Sequence, residues 1–193
     1  CVGVEKMTEL NGAAIGEVLT KASYYKDEGG KNGSFVDIFA RIAESYFQKY
    51  GDKSDTLAQI AAKNHSNGAL NPLAHFQKDL GYDFCREPSE KNPFISGPLK
   101  RSDCSPVTDG AAAVVLSDRD TARGLNKSVA FRATAHVNDF LPMRRRDMTQ
   151  FDGAAVAWHR AYAEAKIGVD DLDVVGVHDC FTIAELLIYE AMG

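Results

Sequence analysis

The stretch Val177-His178-Asp179-Cys180-Phe181 sets an imidazole, a carboxylate and a thiol at consecutive positions near the end of a 193-residue chain. A mostly apolar run, 172–176, with one aspartate and one glycine, precedes it and a helical pattern follows. The three groups therefore lie where a buried strand gives way to a helix. In open α/β sheets, ligands bind beyond the carboxyl ends of strands and beside helix N-termini. A thiol at such a terminus, or next to an imidazole, is expected to favour its thiolate, which can act as base or nucleophile. Thr182 and Glu185 have the T-x-x-E spacing of a capping box, which starts the helix at Ile183. On the residues alone a second reading stays open. Asp179 and Thr182 would be caps, Cys180 a small buried hydrophobe, and His178 a partner for a backbone carbonyl.

Other candidates are weaker. Cys104, in Asp103-Cys104-Ser105-Pro106, precedes a turn into an apolar run, and burial explains it better than catalysis. Asn64-His65 and His75 could touch a ligand, but fit a polar surface more readily. His136 and His159 read as structural or exposed. Gly29-Gly30 and Gly33 are too loosely spaced for a phosphate loop and lack the following GK[ST]. Arg144-Arg145-Arg146 is a solvated turn or a holder for a phosphate or carboxylate.

The elements that must position these residues fall into three regions. Residues 1–8 are an apolar strand end. Residues 9–105 carry four of the six prolines and helical patterns without clear strands. There Ser34 begins one helix, with Phe35, Ile38, Phe39, Ile42, Ala43 and Phe47 on one side. Ser54-Asp55 caps a second, with Leu57, Ile60 and Ala61 inward. The breakers Asn71-Pro72, Glu87-Pro88, Asn92-Pro93 and Gly97-Pro98 make an irregular return. From 106 the pattern becomes α/β. Asp109-Gly110 marks a turn, and Ala111 to Leu116 suits a strand buried on both faces. Ser117-Asp118 caps a short helix over 119–123, and 128–137 alternates as a strand. Asp152-Gly153 opens a helix to about Lys166, with Ala155, Trp158, Tyr162 and Ala165 on one face, and Gly168 ends it. Leu172 to Val177 is the strand that delivers His178.

Composition narrows the function. Hydrophobic residues make up 45% and charged residues 25%, the balance of a globular chain. A net charge of −5 argues against a nucleic-acid partner. No apolar run approaches the roughly 20 residues of a membrane span. Cys1, Cys85, Cys104 and Cys180 are far apart with no CxxC pair, which predicts neither a disulfide scaffold nor a metal site and favours a reducing, intracellular setting. The absence of an initiator Met and the strand-like CVGV start suggest an internal piece of a longer protein.

Several stretches together resemble the thiolase superfamily: GVEKM at 3–7, KNHSNGALNPLAHFQ at 63–77, DCSPVTDGAAAVVLSD at 103–118 and GVDDLDVVGVHDCFTIAELLIYEAMG at 168–193. They run in the family's order along the whole chain. HDCF, where ordinary thiolases carry NEAF, resembles the sterol-carrier-protein-type subgroup. The resemblance implies a thiolase-like layered αβαβα fold of the α/β class with an inserted, mostly helical loop domain. Residues 1–8 and 106–124 would end the N-terminal half, 9–105 would form the loop domain facing coenzyme A, and 125–193 would begin the C-terminal half.

It also implies reversible thiolysis of 3-ketoacyl-CoA through a cysteine thioester, as in fatty acid β-oxidation and lipid metabolism. Coenzyme A or acetyl-CoA would be co-substrate, with no bound cofactor. His178 would lie beside an oxyanion hole and Cys180 near the reacting carbons. The family's nucleophilic cysteine precedes the GVEKM-like stretch, and its GHP histidine and CxG cysteine follow the HDCF region. None of these motifs is in this sequence, so residues 1–193 alone are not expected to complete the reaction. The implied assembly is a homodimer or tetramer, cytoplasmic in a bacterium and peroxisomal or mitochondrial in a eukaryote. The alternative is a thiolase-like protein that binds acyl-CoA or lipid without turnover.

Overall fold

The structure is a computed structural model that describes residues 1–29 and 33–193, so Gly30 lies outside the described residues. In chain order its main elements are β1 (Val2–Glu5), α1 (Gly12–Thr20), α2 (Tyr25–Glu28), α3 (Phe35–Tyr50), α4 (Ser54–Leu70), α5 (Gly81–Arg86), β2 (Phe94–Ser96), β3 (Leu99–Lys100), β4 (Gly110–Ala113), α6 (Arg119–Arg123), α7 (Asp152–Ala165) and α8 (Thr182–Met192). No described helix is long and apolar enough to cross a membrane.

The core forms where α3 and α4 meet α8. Ala40, Ile42, Ala43 and Tyr46 of α3 pack with Leu57, Leu99, Phe181, Ile183 and Leu187 in one buried cluster. The helix expected from Ser34 is present. Its capping box is reciprocal: the Ser34 hydroxyl accepts from the Asp37 N–H, and Asp37 accepts from the Ser34 N–H. At α4 the capping differs from expectation. Ser54 is the first helical residue, and Asp52 accepts both its N–H (2.9 Å) and its hydroxyl (2.6 Å). Asp55 instead pairs with Arg86 and Tyr82 of α5. Asp118 caps α6 as expected, accepting from the Thr121 N–H. The α7 stop is Lys166 in left-handed geometry (φ 58°), two residues before Gly168.

The strands depart most from expectation. β1 pairs antiparallel with β4, Val2 opposite Ala113 and Glu5 opposite Gly110. Asp109 secures this ladder by accepting the Met7 and Thr8 N–H groups, at 2.8 and 2.9 Å. The run 111–116, expected to be buried on both faces, leaves the ladder after Ala113 and is exposed throughout. Neither 128–137 nor 172–177 joins a ladder among the described residues, and Val129, Phe131 and Val174 are exposed. Alternating side chains give a strand its two faces, but only a neighbouring strand satisfies its N–H and C=O groups. These runs have the first feature without the second.

The arginine triplet holds carboxylates of its own chain. Arg144 pairs with Asp27, and its backbone N–H donates to Glu28 at 3.2 Å. Arg146 pairs with Asp139 at 3.1 Å.

Gly97, in the turn between β2 and β3, has φ +48°, and a Cβ there would lie 2.6 Å from the Glu44 Oε1 and 3.3 Å from the Ala40 Cβ. The left-handed region alone costs a side-chain-bearing residue about 1–2 kcal/mol. Gly97→Ala is therefore expected to lower unfolding free energy by at least that amount, read as a drop in urea midpoint at constant slope.

Asp147 accepts from the Thr149 hydroxyl and N–H and from the Lys49 Nζ at 2.9 Å. The Thr149 hydroxyl, and then Lys49, pull its carboxyl down to about 2. A depressed acid contributes stability that is complete above its unfolded value and is lost as pH falls through its folded value. Urea midpoints should fall more steeply between about pH 4 and pH 2 in the parent than in Asp147→Asn. Both partners are substantially exposed, so the difference in slope will be small.

Candidate active site

Phe181 anchors the VHDCF stretch. It is buried in the core, stacked on Phe39 with centroids 4.3 Å apart, and tilted against Phe35 at 5.9 Å. Its backbone forms an isolated antiparallel bridge with Cys104, and the Ser105 N–H donates to the Cys180 carbonyl at 3.1 Å. Sequence-distant segments around Cys104 and Cys180 are thus held side by side at the start of α8. Cys104, weighted toward burial, is indeed half-buried, and its Sγ lies 3.4 Å from the Lys100 carbonyl.

The expected capping box is not formed, although α8 is present. α8 begins at Thr182, and no side chain caps it. The Thr182 hydroxyl donates to Asp103 Oδ1 at 2.9 Å. Glu185 is buried and turns to the 63–64 segment of α4: Oε1 accepts from Lys63 and Tyr189, and Oε2 from the Asn64 Nδ2 at 2.6 Å. The same Asn64 nitrogen donates to Asp179 Oδ2 at 3.0 Å. Tertiary partners have outcompeted the local cap, because a buried carboxylate needs charge and hydrogen bonds together.

His178 and Cys180 flank Asp179 and occupy different surroundings. His178 is exposed at the rim of an open groove of about 350 Å³, lined by Ala135, Ala154, Ala157, Trp158 and Ile188. Cys180 is half-buried against the core cluster. Burial pushes its thiol up to about 11, with a backbone hydrogen bond from Phe181 opposing the rise. The expectation of a favoured thiolate is therefore corrected: loss of water outweighs the helix terminus. Burial likewise raises Cys104, to about 12. None of the four cysteines is in a disulfide.

A smaller cleft of about 160 Å³ opens between α4 and the bridge, lined by Asn64, His65, Cys104, Ser105, Asp179 and Thr182 among others. His65 packs edge-on against Phe76 at 5.2 Å, and burial pulls its imidazole below the usual range. His75 hydrogen-bonds Thr108 away from this cleft. Asn64, read as a surface residue, is instead half-buried and contacts the centre of the candidate site. The available signal was its place in KNH at 63–65, within a stretch already singled out.

Comparison with known proteins bears on this geometry. Residues 134–193 match the family described as Thiolase C-terminal domain-like. The chain is 33% identical over 193 residues to an acetyl-CoA acetyltransferase of Methanothermobacter thermautotrophicus, covering 99% of this chain and 49% of that protein. The chain belongs to the thiolase superfamily. It is also 34% identical over 163 residues to sterol carrier protein 2 of Oryctolagus cuniculus, covering 81% of this chain and 29% of that protein. A thiolase-like fold is shown by a monomeric SCP2-thiolase-like protein type 1 from Mycobacterium smegmatis, with TM-score 0.77 and 18% identity over 99% of this chain and 41% of that one. The chain spans about half the length, or less, of these relatives.

Proposed function

We propose that the complete protein carrying this chain is a thiolase-type acyltransferase, catalysing reversible CoA-dependent thiolysis of 3-ketoacyl-CoA and, in reverse, Claisen condensation. The observation that carries this reading is the clamped junction presenting His178 and Cys180 in a chain one-third identical to an acetyl-CoA acetyltransferase. In the thiolytic direction, a nucleophilic cysteine outside residues 1–193 attacks the 3-keto carbon. The C2–C3 bond then breaks, and its electron pair becomes the enolate of acetyl-CoA. His178 donates a hydrogen bond to the enolate oxygen. Cys180, which keeps its proton at neutral pH, gives that proton to the enolate carbon. CoA then returns its thiol proton to Cys180 and, as the thiolate, takes the acyl group from the enzyme thioester, splitting one difficult step into two.

In this reading residues 9–105 are the loop domain over coenzyme A, 1–8 with 106–124 close the N-terminal half, and 125–193 open the C-terminal half. The substrates are acyl-CoAs, the setting intracellular, and the assembly a homodimer or tetramer. A second reading, acyl-CoA or lipid binding without turnover, is favoured by one observation: the 34% identity over 163 residues to sterol carrier protein 2. Incubating the complete protein with acetoacetyl-CoA and CoA separates the two. Loss of the acetoacetyl-thioester absorbance with formation of acetyl-CoA supports the acyltransferase. CoA binding by calorimetry without turnover supports the binder.

A further inference from the structure

Asp179, between the two candidate catalytic residues, has Asn64 as its hydrogen-bond partner among the described residues. That amide is itself held. Its Nδ2 reaches Asp179 Oδ2 at 3.0 Å and Glu185 Oε2 at 2.6 Å, so both of its N–H bonds are committed to carboxylates. The amide orientation follows from chemistry, since two carboxylate oxygens can be met only by the nitrogen end. Glu185 is fully buried and cannot swing away. Its other oxygen takes the Lys63 ammonium and the Tyr189 hydroxyl. Burial lowers Lys63, but its bonds to Glu185 and Tyr189 more than offset this, so it stays charged above its usual range. Asn64 thus sits on a rigid, charge-compensated base. A neutral donor with two N–H groups is the side chain that can bridge two carboxylates at this position. An aspartate would put three carboxylates together, and an alanine would leave Asp179 unpaired.

Resting on the acyltransferase reading above, we propose that Asn64 is a positioning residue: braced on buried Glu185, it fixes Asp179 and so sets the orientation of His178 and Cys180 on either side. The device lies on α4 rather than on the strand-to-helix junction, which makes the reaction centre depend on how α4 packs against α8. Its role is distinct from substrate contact, because both of its donor bonds are made to the protein.

The test uses the complete protein. Asn64→Ala should lower kcat for acetoacetyl-CoA thiolysis about 10–100-fold, as small misplacements of catalytic groups do, with KM changed less than about threefold. Asp179→Ala should do the same, and the double variant should be no worse than Asp179→Ala alone, since one residue acts through the other. Asp179→Asn keeps an acceptor oxygen for Asn64 and should recover most of kcat. A purely structural role would instead lower the melting temperature in each variant, give additive losses and show no rescue by Asp179→Asn. Site-resolved alkylation of Cys180 by iodoacetamide gives a readout independent of turnover. Asn64→Ala should speed it several-fold, because loosening the junction admits water, while labelling of buried Cys85 stays unchanged. Full kcat in Asn64→Ala overturns the positioning role in an active protein. A parent protein without turnover overturns the acyltransferase reading, and there an unchanged Cys180 alkylation rate overturns the positioning role as well.

Discussion

Replacing His178 by alanine in the complete protein is expected to lower kcat for 3-ketoacyl-CoA thiolysis by about 10²–10³-fold, the usual cost of losing one oxyanion donor. The effect should fall on kcat more than on KM, because enolate charge exists only during reaction. Cys180→Ala removes the proton donor and should cost about 10²–10⁴-fold, the range for a positioned acid or base. Cys180→Ser tests the chemistry more narrowly. It puts a hydroxyl proton where the thiol proton was and holds it more tightly, so activity should stay well below that of the parent. Both residues flank a junction fixed by Phe181 in the core and by the Cys104 bridge, so these substitutions should leave the fold intact. Near-parental kcat in both alanine variants would remove the catalytic assignment.

The largest stability effect is expected at Asp103. Its carboxylate and the Lys100 ammonium are 3.0 Å apart, and both residues are almost wholly buried, at 1% and 2% exposure. Oδ2 also accepts the Lys100 N–H at 2.8 Å, and Oδ1 accepts the Thr182 hydroxyl. The pair therefore stitches the turn after β3 to the first residue of α8. Asp103→Ala leaves an ammonium buried without a counter-charge, a change that costs about 3–5 kcal/mol. Denaturant unfolding should show it directly. Lys100→Met combined with Asp103→Leu should recover part of the loss, since apolar side chains of similar size need no counter-charge. The recovery will be incomplete because the Lys100 N–H and the Thr182 hydroxyl lose their acceptor. A single-variant loss below about 1 kcal/mol would show that water reaches the pair.

Helices were the legible part of this chain. α3, α7 and α8 follow from apolar spacing and turn chemistry within a few residues, and Ser34 and Asp118 cap where local spacing places them. The errors share one physical origin. Thr182 and Glu185 have the spacing of a cap, but each side chain finds a partner more than 70 residues away. Cys180 stands at a helix start, but its burial depends on α3 and the Cys104 segment, which local sequence does not reveal. The runs 128–137 and 172–177 have strand-like alternation, but strand pairing is a property of two segments. Asn64 was legible only as part of a resembling motif, because its value lies in reaching Asp179, 115 positions along the chain. The resemblance to thiolases supplied long-range order that periodicity could not, and the family match at 134–193 agrees with it.

Exchange of the acetyl-CoA methyl protons with solvent deuterium, followed by NMR, tests the reaction centre most directly. It reports formation of the enolate alone, without the acyl-transfer steps. The complete protein should catalyse this exchange, Cys180→Ala should abolish it, and His178→Ala should slow it by at least about tenfold. Exchange at the parental rate in Cys180→Ala would contradict the placement of proton transfer at this junction.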